Sequence, residues 1–466
     1  YHFNIFDYID SYGNINENVF AYTNRSGNEK ALVFYNNKYD QAQGRIHYSA
    51  PKLTQTENGK ETVNVSLAQA LDIKGGDKMF YVFREHISGL EYIKKGNDFF
   101  ENGFHWDLNG FEYRLFWNFR EIYDEYGDYE KLYWKIGGEG SPSIEKALEE
   151  MHLEPLHNAF EALFSDDIIH FLLHRIQDEN RARSEKLGYT LIRSRFKALV
   201  EKIKDYGYLS GSETEVLAEN FISQIRSVEK TYDFIFLKEK SLHLFPVHYQ
   251  VSTLDNLLIT GSHAPYRENM ILLLAYYSWK TLLSGLPDSD SDILTGKLRM
   301  QWPLQEILKR TGRAMHTIIR DVNLLLILLT DEVKLFDFSQ LKQSGSDTGL
   351  EPSLRKELLF SKTQKAAEML QDEYIRNFIG VNEYENVQYF SKESFEELII
   401  WFFSINVFEY FSLLDEEISR REIKLLEMYI KETLRFYMNA LELSQKAGYK
   451  LDRLKKLITS QRYSDE

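Results

Sequence analysis

From about residue 15 to residue 123, apolar and polar positions follow a pattern that is typical of β-strands. Apolar runs at 19–22 and 31–35 flank a polar gap that contains Gly27, and this arrangement predicts a hairpin. The run at 79–83 is apolar on both faces and predicts a central strand. A second hairpin is expected to follow it, with Ser88 and Gly89 in its turn.

Residues 111–120 show the alternation most clearly. One face carries Phe111, Tyr113, Leu115, Trp117 and Phe119. The other face carries Glu112, Arg114, Asn118 and Arg120, with Phe116 as its apolar exception. This period of two predicts a half-buried strand. Several antiparallel strands joined by hairpins favour a β-sandwich for residues 1–125. Ser66 and the Gln three residues later predict a capping box for a short helix among these strands.

After residue 126 the apolar period becomes helical. The glycine-rich segment 137–140 breaks the helical pattern. The next helix is expected to begin after it, with Ser141 as N-cap and Pro142 as the first helical residue. Apolar residues from Ile423 to Leu441, spaced by three and four, predict a long helix that ends near Gly448.

Two polar stretches, 286–297 and 343–352, divide this helical region and are predicted to be loops. We therefore expect one helical lobe at 140–285 and a second at 298–466. The predicted fold class is multidomain, with an N-terminal antiparallel β-sandwich followed by a large all-α region.

Composition narrows the possible functions. The net charge of −15 over 466 residues argues against nucleic acid as a partner and against docking on anionic membranes. The absence of cysteine excludes disulfides, thiolate metal sites and cysteine nucleophiles, and favours a cytoplasmic protein. The most apolar segment, 398–414, is shorter than a membrane span and includes Asn406 and Glu409, so a buried core helix is expected.

Asp166, His170 and His174 are the candidate metal ligands. They are four residues apart and would share one face of a helix. A metalloprotease helix places Glu directly after its first His, whereas here that residue is Phe171. The two histidines could instead lie at the edge of a core, so no metal is assigned. The glycines at 137–140 lack the Lys of a phosphate loop, and no cofactor is predicted.

Three residues are candidates for carbohydrate binding. Trp106 could stack on a sugar ring and the adjacent Asp107 could bind its hydroxyls, although a tryptophan at a strand edge is also a common core residue. We add Phe116 as a third candidate. A glycosidase also needs two carboxyl groups that flank the scissile bond, and sequence spacing selects no such pair here.

Four segments carry a resemblance to one enzyme family. They are GNINENVFAYTNRSGNEKALVFYNN at 13–37, YVFREHISGLEYIKKG at 81–96, FEYRLFWNFREIYD at 111–124 and FIGVNEYENVQYFSKESFEELIIWFF at 378–403. The first three resemble the C-terminal β-domain of α-amylase-type glycoside hydrolases, and the fourth resembles the helical tail of a long bacterial subgroup.

This resemblance implies a function on α-glucans but transfers no catalytic residue to this chain. In that family the catalytic residues lie on a (β/α)₈ barrel of about 250 residues, for which no pattern is present here. We therefore expect the chain to be the non-catalytic C-terminal part of such an enzyme, which supports an upstream barrel and would contact α-glucan. Two alternatives stay open: a helical interaction or scaffold module without a carbohydrate role, and a self-contained metal enzyme.

Overall fold

The computed structural model describes residues 2–56, 59–177, 185–209, 214–232, 266–286, 291–330, 365–413 and 420–460. The chain divides into two compact units, Tyr1–Glu154 and Pro155–Glu466. Strands dominate the first unit and helices the second, which confirms the predicted order of a β region followed by a helical region. The division into two helical lobes stays a prediction.

An eight-stranded antiparallel sheet forms the first unit, in the order β8-β7-β10-β3-β2-β1-β4-β9. The hairpins predicted at 19–35 and 79–95 are both confirmed as pairs of neighbouring strands. β5 and β6 form a separate hairpin. The strands are β1 (His2–Asp10), β2 (Val19–Ser26), β3 (Glu29–Asn36), β4 (Gly44–Ser49), β5 (Lys52–Thr56), β6 (Gly59–Val63), β7 (Met79–Glu85), β8 (Glu91–Lys95), β9 (Phe104–His105) and β10 (Tyr113–Tyr123).

The sheet curls around an aromatic core. Phe34, Phe83, Phe104 and Phe116 are at most 1% exposed, and their rings contact one another across four different strands. Edge-to-face and tilted aromatic pairs of this kind stabilise a core beyond the area they bury. The first unit thus contains the predicted antiparallel strands in one curled sheet, and the finer prediction that they form a sandwich is not confirmed.

Strand β10 corrects the predicted facing of its side chains. Phe116 points into the core and is 0% exposed, while Tyr113 and Trp117 point outward and are 49% and 44% exposed. The register shifts between Trp117 and Arg120, where β10 has one residue more than β7, and Asn118 adopts a left-handed φ of 55°. Such a bulge returns Phe119 to the core side, because the extra residue reverses the alternation beyond it.

A buried carboxylate closes the turn between β7 and β8. The side chain of Glu85 accepts hydrogen bonds from the backbone N–H groups of Ile87 (2.9 Å) and Ser88 (2.7 Å), and it pairs with Arg114 of β10 at 3.1 Å. Burial alone would raise the pKa of Glu85, but these hydrogen bonds and the guanidinium hold it below its usual value. The carboxylate thus fixes the β7–β8 turn against β10.

Three helices accompany the sheet: α1 (Leu67–Ala70), α2 (Gly96–Glu101) and α3 (Asp128–Ile136). A fourth, α4 (Ile144–Glu161), belongs to this unit as far as Glu154. The capping box predicted at Ser66 is confirmed by reciprocal hydrogen bonds with Gln69, of 3.0 and 3.2 Å. The predicted start of α4 at Ser141 and Pro142 is wrong. Ser143 accepts the N–H of Lys146, whereas Ser141 forms a backbone bridge with Glu91 of β8.

The second unit is helical in its described part, with one small hairpin. Its core includes the helix Lys392–Ser412 (α12), whose buried Trp401, Phe403 and Phe408 confirm the core helix predicted at 398–414. The long helix predicted before Gly448 is confirmed as Arg420–Lys446 (α13). The elements are α5 (Asp166–Gln177), α6 (Glu185–Asp205), α7 (Thr214–Tyr232), α8 (Tyr266–Gly285), α9 (Gln301–Lys309), α10 (Met315–Leu328), α11 (Glu373–Phe378), β11 (Asn382–Tyr384), β12 (Val387–Tyr389), α12 (Lys392–Ser412), α13 (Arg420–Lys446) and α14 (Leu451–Thr459).

The two predicted loops fare differently. The stretch at 286–297 ends in a π-helical turn, Ile293–Lys297, so it is not a loop throughout. The stretch at 343–352 lies outside the described residues. Across the described ranges, no helix has both the length and the apolarity needed to cross a membrane.

Candidate functional site

A cleft of about 350 Å³ opens in the first unit where β8, β9 and the end of α3 meet. Strand β8 contributes Lys94 and strand β9 contributes His105. Gly137 and Gly138, which directly follow α3, also line the cleft. Both glycines have left-handed φ angles, of 61° and 90°. The aromatic walls are Phe83, Tyr92, Phe104, Trp106, Tyr133 and Trp134. We call this site the aromatic cleft.

The Trp106 indole is held in place by its neighbours. Its ring centroid is 4.7 Å from that of Phe116 and 5.3 Å from that of Tyr92, and the planes of the Trp106 and Tyr92 rings are nearly perpendicular. The backbone carbonyl of Trp106 accepts a hydrogen bond from the hydroxyl of Tyr8 at 2.9 Å, and its backbone N–H donates one to the carbonyl oxygen of Gly44 at 3.1 Å. A half-buried ring fixed on several sides offers a rigid surface to a ligand, which lowers the entropic cost of binding.

Trp134 is the exposed aromatic side chain of the cleft, at 68%. It follows Tyr133, whose hydroxyl donates a 2.9 Å hydrogen bond to Asp98 and whose pKa burial raises to about 12. The ammonium of Lys95 lies 5.1 Å from the Trp134 centroid and pairs with Glu130 at 2.6 Å. One side of the cleft thus has a solvent-facing indole beside an already neutralised cation.

Lys94 is the charged group that faces the cleft from β8. Its ammonium lies 5.3 Å from the centroid of Phe104, and among the residues that the structure describes no carboxylate lies within ion-pair distance of it. Burial lowers the pKa of Lys94, an effect that the charge of Asp98 only partly offsets. His105 and Asp107, whose side chains are 3.5 Å apart and mostly exposed, form a polar pair next to the cleft residue Trp106.

The structure separates the three predicted carbohydrate-binding residues. Trp106 lines the aromatic cleft, and Asp107 is exposed beside His105. Phe116 is 0% exposed and lies under Trp106, so it supports the indole and cannot contact a ligand itself. Sequence reasoning missed Lys94 and Trp134. The sequence did offer one signal for Trp134, since it lies on the polar side of the amphipathic helix α3, where an exposed indole indicates a contact surface.

The three candidate metal ligands lie on α5 in the second unit. Their side chains are exposed, and Asp166 pairs with Arg267, which holds the pKa of that carboxyl below its usual value. Within the described ranges, no group of three or more potential ligands comes together as a metal site. The arrangement of Asp166, His170 and His174 therefore offers no support for the metal-enzyme hypothesis.

A second surface of the first unit is apolar and exposed. On the outer side of β1, β2, β3 and β10, cross-strand partners form continuous rows: Ile5, Tyr22, Val33 and Leu115 make one, and Phe20, Tyr35 and Tyr113 make another. Phe3 and Trp117 lie toward one end, and Phe20 stacks on Tyr35 at 6.4 Å. We call these nine residues the apolar sheet face: Phe3, Ile5, Phe20, Tyr22, Val33, Tyr35, Tyr113, Leu115 and Trp117. None of them is charged.

No protein-family model matches the chain, and no curated protein or solved structure is significantly similar to it. The resemblance to amylase-type enzymes therefore rests on the four quoted segments. Three of them coincide with the β2–β3 hairpin, the β7–β8 hairpin and β10, which are adjacent in the sheet. The fourth spans the β11–β12 hairpin and the first half of α12.

Proposed function

We propose that the chain is the non-catalytic C-terminal part of an α-amylase-type glycoside hydrolase that acts on α-glucans. Its curled sheet corresponds to the β-sandwich of that family, its apolar sheet face packs on the catalytic barrel, and its aromatic cleft contacts the glucan. The apolar sheet face is the observation that carries the proposal.

That face has the properties of a covered surface. Soluble proteins rarely expose contiguous apolar patches of more than a few hundred Å², and larger ones mark interaction sites. Here four adjacent strands present nine apolar side chains, of which Phe3, Phe20, Tyr113 and Trp117 are about half exposed (44–53%). The outer surface of a (β/α)₈ barrel is a ring of helices, and helices packed on a sheet form one of the standard layer architectures.

The parent gene provides the first test. We expect the reading frame upstream of the Tyr1 codon to encode alternating strands and helices over about 250 residues, as a (β/α)₈ barrel requires. An upstream frame that encodes no such barrel would falsify the proposal and leave the helical scaffold hypothesis in its place.

The second test uses that barrel as a separate protein. The complete chain should bind it, and Tyr113→Glu with Trp117→Glu should abolish binding, because two carboxylates would be buried without partners. Tyr126→Glu is the matched control, since Tyr126 is 80% exposed and lies outside the apolar sheet face. Equal binding by both variants in analytical ultracentrifugation would show that this face does not carry the contact.

The glucan contact is measured separately. The chain should co-sediment with starch or glycogen, and Trp134→Ala should reduce the retained fraction, because Trp134 supplies the exposed ring of the aromatic cleft. Retention that is unchanged in this variant would move the glucan contact away from the cleft.

A further inference from the structure

We propose that the aromatic cleft selects a saccharide that carries an anionic group, a carboxylate or a phosphate, and that Lys94 is the residue that binds this group. The inference rests on the proposed function in taking the ligand to be a saccharide, and it states a preference among saccharide units: neutral glucan units bind the cleft more weakly than units that carry the anionic group. The shape, the walls and the charge of the cleft each contribute one step.

The cleft has the size of a small-molecule site. Its volume of about 350 Å³ lies at the lower end of the range typical of ligand pockets, ~300–1,000 Å³. Such a volume suits one or two sugar rings and excludes a folded partner. The site therefore fits a short saccharide or the end of a longer one.

Its walls favour a ligand with apolar ring faces. Trp106 is immobilised by Phe116 and Tyr92, while Trp134 is exposed. The C–H faces of a pyranose ring pack on indole rings, and its hydroxyls remain available for polar contacts at the edges of the ring. His105, which lines the cleft and pairs with Asp107 at 3.5 Å, can supply such a polar contact.

The charge of Lys94 distinguishes an anionic saccharide from a neutral one. Its neighbour Lys95 pairs with Glu130 at 2.6 Å. Oδ2 of Asp98 accepts hydrogen bonds from the hydroxyl of Tyr133 and the backbone N–H of Lys95, and Asp98 acts on Lys94 through its charge without a direct ion pair. Lys94 thus keeps a partly desolvated positive charge against the Phe104 ring. A neutral hydroxyl would accept a hydrogen bond from the ammonium without balancing its charge, whereas an anion would form an ion pair with it.

The direct test compares matched ligands on the complete chain by isothermal titration calorimetry. Glucuronate and glucose 6-phosphate should bind at least about tenfold more tightly than glucose, a difference of ~1.4 kcal/mol. Inorganic phosphate alone should bind more weakly than glucose 6-phosphate, since it cannot use the aromatic walls. Equal affinity for phosphate and glucose 6-phosphate would overturn the saccharide part of the inference.

Variants of Lys94 then test whether this residue causes the preference for anionic sugars. Lys94→Met keeps the apolar stem and should reduce the preference for anionic over neutral sugar to less than about twofold. Lys94→Arg should retain the preference and shows whether the site is folded. Lys38→Met removes a lysine that is exposed and paired with Asp40 outside the cleft, and should change nothing.

The outcomes separate this inference from the proposed function. If the chain is retained on starch but binds glucose and glucose 6-phosphate equally, the role of Lys94 is refuted and the glucan contact stands. An anion preference that survives in Lys94→Met likewise refutes the assignment to this residue. A preference that is lost in Lys94→Met and kept in Lys94→Arg supports the inference whatever the upstream gene encodes.

Discussion

Replacing Phe116 or its neighbour Trp117 by alanine tests the facing of β10, on which the core and the apolar sheet face both depend. Phe116 is fully buried, with its ring centroid 4.9 Å from that of Phe104 and 4.7 Å from that of Trp106. Trp117, the next residue, is 44% exposed on the opposite side of the strand. The two variants differ by one position but remove aromatic rings from different faces.

The expected free energies of unfolding differ clearly. Phe116→Ala leaves a closed cavity and should cost ~3–5 kcal/mol. Trp117→Ala removes a ring that is open to solvent on one side, leaves no closed cavity, and should cost ~1–2 kcal/mol by the area it still buries. Phe116→Leu retains most of the volume and should cost less than Phe116→Ala.

Hydrogen exchange measured by mass spectrometry in increasing urea is the appropriate assay, because it reports the opening free energy of β3 and β10 within the complete chain. Peptides from the second unit serve as an internal reference. If Trp117→Ala destabilised β10 as much as Phe116→Ala, the assignment of the inner and outer faces would be refuted.

Three further predictions concern single positions. Gly103→Ala should destabilise the first unit by more than ~2 kcal/mol, because a Cβ there would lie 2.0 Å from the carbonyl oxygen of Ile46; Gly89→Ala, with a similar positive φ but open space, should cost less by thermal denaturation. Glu85→Gln should cost ~1–3 kcal/mol at pH 7. Since the pKa of Glu85 is lowered on folding, its stabilisation is lost as pH falls through that value, so urea titrations should show wild type and Glu85→Gln converging in acid. Finally, burial lowers the pKa of Lys94, so its ammonium loses its proton at a lower pH than a free lysine, whose pKa is ~10.4. As pH is raised, the affinity for glucose 6-phosphate should therefore begin to fall before pH reaches that value, and calorimetry should show no such fall for Lys94→Arg.

Local patterns predicted the elements of the first unit better than the directions of their side chains. The capping box at Ser66 and both hairpins follow from short-range rules, and the structure has them. In β10 the rule of alternation predicted a half-buried strand but could not identify the buried side, since Phe116 and Trp117 are both aromatic. Which of them enters the core depends on the neighbouring strands β3 and β7, which a single segment does not encode.

The aromatic cleft shows the same limit. Trp106 could be selected from its neighbour Asp107, whereas Lys94 and Trp134 come from β8 and α3 and meet Trp106 only in the folded unit. A lysine in a strand usually faces water, and nothing in the sequence around Lys94 indicates that its ammonium lies against the ring of Phe104. Long-range packing and local charge balance therefore determine the site.

The bulge at Asn118 has a consequence for how the first unit folds. In most half-buried strands a slip of one residue exposes the apolar side chains, so the hydrophobic pattern itself rejects the wrong register. β10 carries aromatic residues on both sides, and a slipped strand would still bury an apolar row. Competing registers must then be rejected by the backbone and by charge, through the left-handed Asn118 and the pairing of Arg114 with the buried Glu85. Apolarity drives the collapse of this sheet, whereas the left-handed Asn118 and the ion pairs of Arg114 with Glu85 and of Arg120 with Glu91 favour the native register among the collapsed forms.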